Sequence, residues 1–129
     1  MKDLPSVDVW LKQAKAEASS RNCGMFLVHN GVVRQSAKAK VREGAEDTKA
    51  VKGMLFSYDG KKLSAAVRET ENMEGISCVR VWLNEGRLGV GDDIMYVLIG
   101  GDIRPRVVEA LQFLVGKIKD ECVTETEIY

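Results

Sequence analysis

A chain of 129 residues suits one domain, here residues 1–129, and can bury a real core; 45% hydrophobic and 29% charged residues make disorder improbable. Nineteen Lys and Arg balance nineteen Asp and Glu, so no overall field recruits nucleic acid and any basic site must be local. No apolar run approaches the roughly 18 residues of a membrane-spanning helix and the first six residues lack a signal-peptide core, so no membrane partner and a cytoplasmic location are expected.

Residues 7–20 read as a helix, with Ser6 able to cap it and Trp10, Ala14 and Ala18 on one face. Residues 24–28 form a short apolar strand. His29-Asn30-Gly31 then resembles a tight hairpin turn leading to Val32-Val33, because Asn-Gly between apolar runs suits such a turn. Residues 35–52 are rich in lysine, alanine and glutamate and read as a solvated loop or a mobile lid, the plain exposed loop being the better reading. A strand is expected over 53–58, a turn at Asp59-Gly60, and a helix that buries Leu63, Ala66 and Val67 and fades near Asn72.

Residues 77–83 alternate: Val79, Val81 and Leu83 face one way, Cys78, Arg80 and Trp82 the other, as in a half-covered antiparallel strand. The glycines from Gly86 to Gly91 have the wrong spacing for a dinucleotide loop and precede a strand, so they read as a strand connection. The run 94–99, bounded by Gly91 and Gly100-Gly101, fits a strand buried on both faces. Asp102 is placed to cap a helix with Pro105 in its first turn, whose apolar stripe is Val107, Leu111, Val115, Ile118 and Cys122. This order of elements points to an α+β fold, two layers with a mostly antiparallel sheet and packed helices, rather than a doubly wound sheet.

Cys23, Cys78 and Cys122 are odd in number and never paired as Cys-x-x-Cys, and only one histidine is present. Reduced packing cysteines are the better reading, and no metal or cofactor is expected. His29 has no carboxylate or serine partner in view and reads as structural or solvent-exposed. The segment from the basic elbow to the end of its helix brings Arg104, Lys117 and Lys119 into one basic region with no acidic partner expected among them. A helix of that length nevertheless spans about 20 Å at 1.5 Å per residue, so Arg104 and Lys119 must serve different parts of an extended substrate or different subunits. Lys119, one step round from Ile118, lies at the margin of the buried face with its amine free to enter a cleft.

These residues resemble the large catalytic subunit of molybdopterin synthase. The resemblance lies in residues 24–34, ending in Gly31-Val32-Val33-Arg34; in 79–93, with Gly86-Arg87-Leu88 followed by Gly91-Asp92; and in 94–119, which runs without a gap into Ile118-Lys119. It covers most of the chain after Cys23. It implies a hammerhead-like domain, strand continuation through Gly31 rather than a hairpin, and a homodimer. It also implies transfer of sulfur from the thiocarboxylated Gly-Gly tail of a small ubiquitin-like subunit to cyclic pyranopterin monophosphate, forming molybdopterin. Carried over residue by residue, Arg34 and Arg104 would bind the pterin phosphate and Lys119 would serve sulfur transfer. The family histidine before the helix arginine is Ile103 here, a second family lysine aligns with Thr126 after Glu125, an aromatic of the first strand is His29, and the tail from Glu121 to Tyr129 is acidic. The alternative these departures suggest is a pterin- or partner-binding regulatory member without turnover.

Overall fold

The structure is a computed structural model that describes residues 3–36 and 50–129. Most of the loop expected at 35–52 lies outside the described residues. Within them the chain runs α1 (Val7–Ala16), a 3-10 turn (Ala18–Ser20), β1 (Met25–Val32), β2 (Gly53–Tyr58), α2 (Gly60–Glu71), β3 (Ile76–Leu83), β4 (Gly86–Gly89), β5 (Asp93–Gly101), α3 (Arg104–Lys117), a π turn (Ile118–Cys122) and β6 (Val123–Ile128). The strands make two antiparallel sheets, ordered β1-β5-β3 and β4-β2-β6, so the fold is α+β.

The apolar run becomes the central strand of the first sheet, β5, because only a central strand has both faces and both edges covered. Met95, Val97, Leu98 and Ile99 are fully buried. At Gly100 an added Cβ would fall 2.6 Å from the Phe26 ring, so this position must stay bare for β1 and β5 to pack. Asn30-Gly31 does not turn the chain. Asn30 pairs with Tyr96 and Gly31 with Met95, and the Asn30 amide donates to Asp93 Oδ1 at 3.0 Å and to the Met95 carbonyl at 3.2 Å. A long antiparallel ladder with β5 outweighs the local preference of two residues for a turn.

Helix α1 starts where expected, the Ser6 hydroxyl accepting from the Val9 amide at 3.3 Å, but it stops at Ala16 and gives way to the 3-10 turn. Its buried Ala14, with Trp10 and Leu11, packs on Phe26, Val28, Cys78 and Leu98, the outer face of the first sheet. Arg80 of β3 holds it there by hydrogen bonds to Gln13 and Glu17. Asp59 caps α2, its Oδ1 accepting from the Lys61 and Lys62 amides at 2.9 and 3.2 Å.

The start of α3 differs from expectation. Ile103, not Asp102, is the cap residue and offers no side-chain hydrogen bond. Pro105 fixes the backbone at the helix start, which leaves Asp102 one position too early. Its carboxylate instead accepts from the Ile103 amide at 2.7 Å and from Arg106 at 2.6 Å. The buried stripe is also rotated: Val107, Ala110, Leu114 and Ile118 are fully buried, while Leu111 and Val115 pack only partly. One buried cluster joins α2 and α3 to both sheets, with Phe56 of β2 and Leu88 of β4 meeting Val97 and Ile99 of β5.

The acidic tail forms a strand. β6 pairs with β2 along its length, from Tyr58 opposite Val123 to Gly53 opposite Ile128. Its Val-Thr-Glu-Thr-Glu-Ile sequence alternates two sets of side chains, those of Val123, Glu125 and Glu127 being more covered than those of Thr124 and Thr126.

Candidate functional site

β1 ends at Val32, and the next residue is clamped: the buried Val33 donates its amide to the Asp92 carbonyl at 3.0 Å and accepts from Gly91 at 2.8 Å. Gly91 has φ +90°, a left-handed conformation that favours glycine. The turn between β4 and β5 thereby fixes where Arg34 leaves the sheet. Arg34, Lys119 of the π turn, and Glu125, Thr126, Glu127 and Tyr129 at the end of the chain line one cavity of about 300 Å³. Val32, Val51, Met54 and Ile94 supply its apolar wall.

Lys119 Nζ lies 3.9 Å from Glu125 Oε1, with the lysine side chain 31% exposed and the glutamate 12%. Arg34 Nε donates to the Ser36 carbonyl at 3.2 Å, and among the described residues its two terminal guanidinium nitrogens make no further hydrogen bond. His29 of β1 is close enough to Lys119 to sense its charge. Burial first, and then that charge, push the imidazole below its ordinary value, so it is neutral at pH 7. Its Nε2 is buried and makes no hydrogen bond to the described residues.

The structure separates the expected basic region. Arg34 and Lys119 share the cavity, but Arg104 begins α3 and does not line it. Lys117 and Lys119 point to different clefts, and each has an acid. Lys117 reaches Glu121 at 2.9 Å and Glu69 at 4.0 Å, and the hydrogen bond and charge of Glu121, then the charge of Glu69, hold its amine above the ordinary lysine range. Two residues of helix turn about half a revolution, which puts the two lysines on opposite sides. The acidic partners come from the π turn itself, from β6 and, remote in sequence, from α2.

Glu125 is the site residue that sequence reading did not assign. The Thr-Glu-Thr-Glu alternation was a signal for a strand, but only its pairing with β2 shows that Glu125 faces Lys119. Ile103, at the position of the family histidine, is 51% exposed and brings no polar atom to the start of α3. Burial raises the Cys78 and Cys122 thiols, as suits packing residues. Among the described residues no cluster of His, Cys, Asp or Glu is arranged to hold a metal, and no helix is long and apolar enough to cross a membrane.

Residues 6–121 match the family model described as MoaE protein. The search of curated proteins finds no significant match. Among solved structures the chain is similar to the MoaE protein from Burkholderia ambifaria MC40-6, with 18% identity, 98% of this chain and 81% of that chain covered, and a TM-score of 0.72. It is similar to molybdopterin synthase from Staphylococcus aureus at 18% identity, 84% and 77% coverage and a TM-score of 0.67. A complex of subunits 1 and 2 of the molybdopterin-converting factor from Helicobacter pylori 26695 gives 18% identity, 95% and 78% coverage and a TM-score of 0.64. At this identity the structures speak for the fold, whereas the family match spans most of the chain. The chain belongs to the MoaE family, that of the large catalytic subunit of molybdopterin synthase in molybdenum cofactor biosynthesis.

Proposed function

We propose that Lys119 and Arg34 form the working centre of a molybdopterin synthase large subunit, which takes sulfur from the thiocarboxylated tail of a small partner and passes it to cyclic pyranopterin monophosphate. The observation that carries this reading is the shared cavity: two cations from opposite ends of the chain meet in one cleft with an apolar wall. A guanidinium fork pairs with phosphate oxygens in a planar, charge-assisted arrangement, and among the described residues Arg34 is bonded through Nε and not through its terminal nitrogens. Lys119 stands deeper, beside Glu125. As an ammonium it can hold the negative charge of an incoming thiocarboxylate, and as a free amine it can act as nucleophile or base. His29, neutral, adds no competing cation beneath it.

Arg104 enters the same site only from a second copy of the chain, so the reading includes a homodimer. With Ile103 beside it, Arg104 would act there without a neighbouring histidine. The small partner is supported by the Helicobacter pylori structure, which is a complex of two such subunits. One domain and a cytoplasmic location belong to the same proposal. The regulatory alternative is not favoured, since the family match stands and Arg34 and Lys119 meet in one cavity.

The test is reconstitution. Purified protein, a thiocarboxylated small subunit and the pterin precursor should yield dithiolene product; Lys119→Ala should abolish it, and Arg34→Ala should raise KM for the pterin more than it lowers kcat. Light scattering should give a dimer. An absence of product with an authentic partner, or a stable monomer with full activity, overturns the reading.

A further inference from the structure

Lys119 sits on an unusual piece of backbone. The α-helical ladder of α3 ends at Ile118, whose amide still donates to the Leu114 and Val115 carbonyls. The bond that closes the following turn is wider: the Val123 amide donates to the Ile118 carbonyl, five residues back. In a continuing α-helix that amide would take the carbonyl of Lys119 itself. The change from α-helical to π-helical hydrogen bonding therefore falls on the segment that carries Lys119, and the direction of its side chain depends on that segment. Single π turns occur frequently at functional sites.

The turn is anchored on its buried side by Ile118 and Cys122, and the Cys122 carbonyl accepts from the Asp59 amide at 2.8 Å. Its opposite side is held by charge. Lys117, the last α-helical residue, bridges to Glu121 within the turn at 2.9 Å and to Glu69 of α2 at 4.0 Å. These three line a second cleft that does not include Lys119. The bridge spans the junction between the two helical forms, and Lys119 lies between its ends in sequence. Glu121 and Glu69 keep Lys117 charged well beyond neutral pH, so the bridge persists across the working range.

We propose that Lys117, Glu121 and Glu69 are positioning residues that fix the π turn against α2 and so hold the Lys119 amine in register with the cavity. This rests on the reading of Lys119 as the acting amine. An exposed ion pair contributes little to global stability, and all three side chains are at least one-third exposed. Catalysis is far more sensitive to position: a misplacement of about 1 Å costs on the order of a hundredfold in rate. Loss of the bridge should therefore appear in turnover and barely in stability.

Lys117→Met and Glu121→Gln should each lower kcat by roughly ten- to a hundredfold while leaving KM for the pterin and the thermal midpoint nearly unchanged. Lys117→Arg, which keeps the charge and can reach both carboxylates, should restore most of kcat. The rate at which an amine-acylating reagent labels Lys119, followed by peptide mass spectrometry on the intact folded protein, should change in Lys117→Met and return in Lys117→Arg. Lys119→Ala in the same series separates the two levels. If it is inactive while Lys117→Met and Glu121→Gln turn over and label as the parent does, the positioning role is overturned and the assignment of Lys119 stands. If Lys119→Ala keeps full activity, that assignment fails and the positioning role falls with it.

Discussion

Glu125 places a carboxylate where an anion must bind, and its replacement by glutamine tests the electrostatics of the cavity with almost no change of shape. At the observed 3.9 Å from Lys119, two unit charges interact by about 4 kcal/mol at an effective dielectric constant near 20 and by about 1 kcal/mol in water. The carboxylate is nearly covered but the lysine side chain is 31% exposed, so solvent screening draws the value toward the lower end. A phosphate or thiocarboxylate entering the cavity competes with Glu125 for the same amine and is also repelled by it. Glu125→Gln should thus tighten anion binding by about 1–2 kcal/mol, roughly 5- to 30-fold in Kd. Calorimetric titration with inorganic pyrophosphate or a pterin phosphomonoester reads this directly. The gain should shrink as salt is raised, because the cavity opens to solvent. Unchanged or weaker binding at low salt would show that Glu125 does not set the charge felt by the ligand and would refute its competition for Lys119.

The neutral imidazole of His29 makes a pH prediction. Its native pKa lies below the unfolded value of about 6.5, so between the two values the unfolded chain binds more protons and stability rises with pH. Its contribution is complete above about pH 6.5 and is lost as pH falls toward the native pKa; His29→Phe should flatten the decline of the urea midpoint on that acid side, and an identical decline in both proteins would refute the burial of a neutral His29. Leu114 is fully buried between α3 and the sheets, and Leu114→Ala should cost about 2–5 kcal/mol in urea unfolding, whereas a loss below about 1 kcal/mol would mean that the helix does not pack as described.

Much of the architecture was legible from local pattern. The apolar run between glycines became β5, the alternation of residues 77–83 became β3, and at the turn expected over Asp59-Gly60 the structure starts α2 with Asp59 as its cap. The glycine motifs ending in Arg34 and the gapless run to Lys119 carried the family resemblance, and both residues line the cavity. Each of these signals lies within a dozen or so consecutive residues, or in motif spacing. Local signals also misled: Asn30-Gly31 favours a turn and Asp102 favours a cap, yet the ladder to β5 and the fixed backbone of Pro105 prevailed.

The chain by itself determined its α+β character, the strand buried on both faces and the motifs that carry Arg34 and Lys119, because periodicity, caps and motif spacing are written in neighbouring residues. Only the tertiary structure decided that the acidic tail would become β6, that Glu125 would face Lys119, and that Lys117 would turn away toward Glu69. Those facts depend on pairings between residues far apart in sequence, with β2 drawing β4 and β6 to its two edges. No local preference encodes them. They follow from burying one apolar cluster between two sheets, and the charges on the last strand and the π turn end up wherever that burial leaves them.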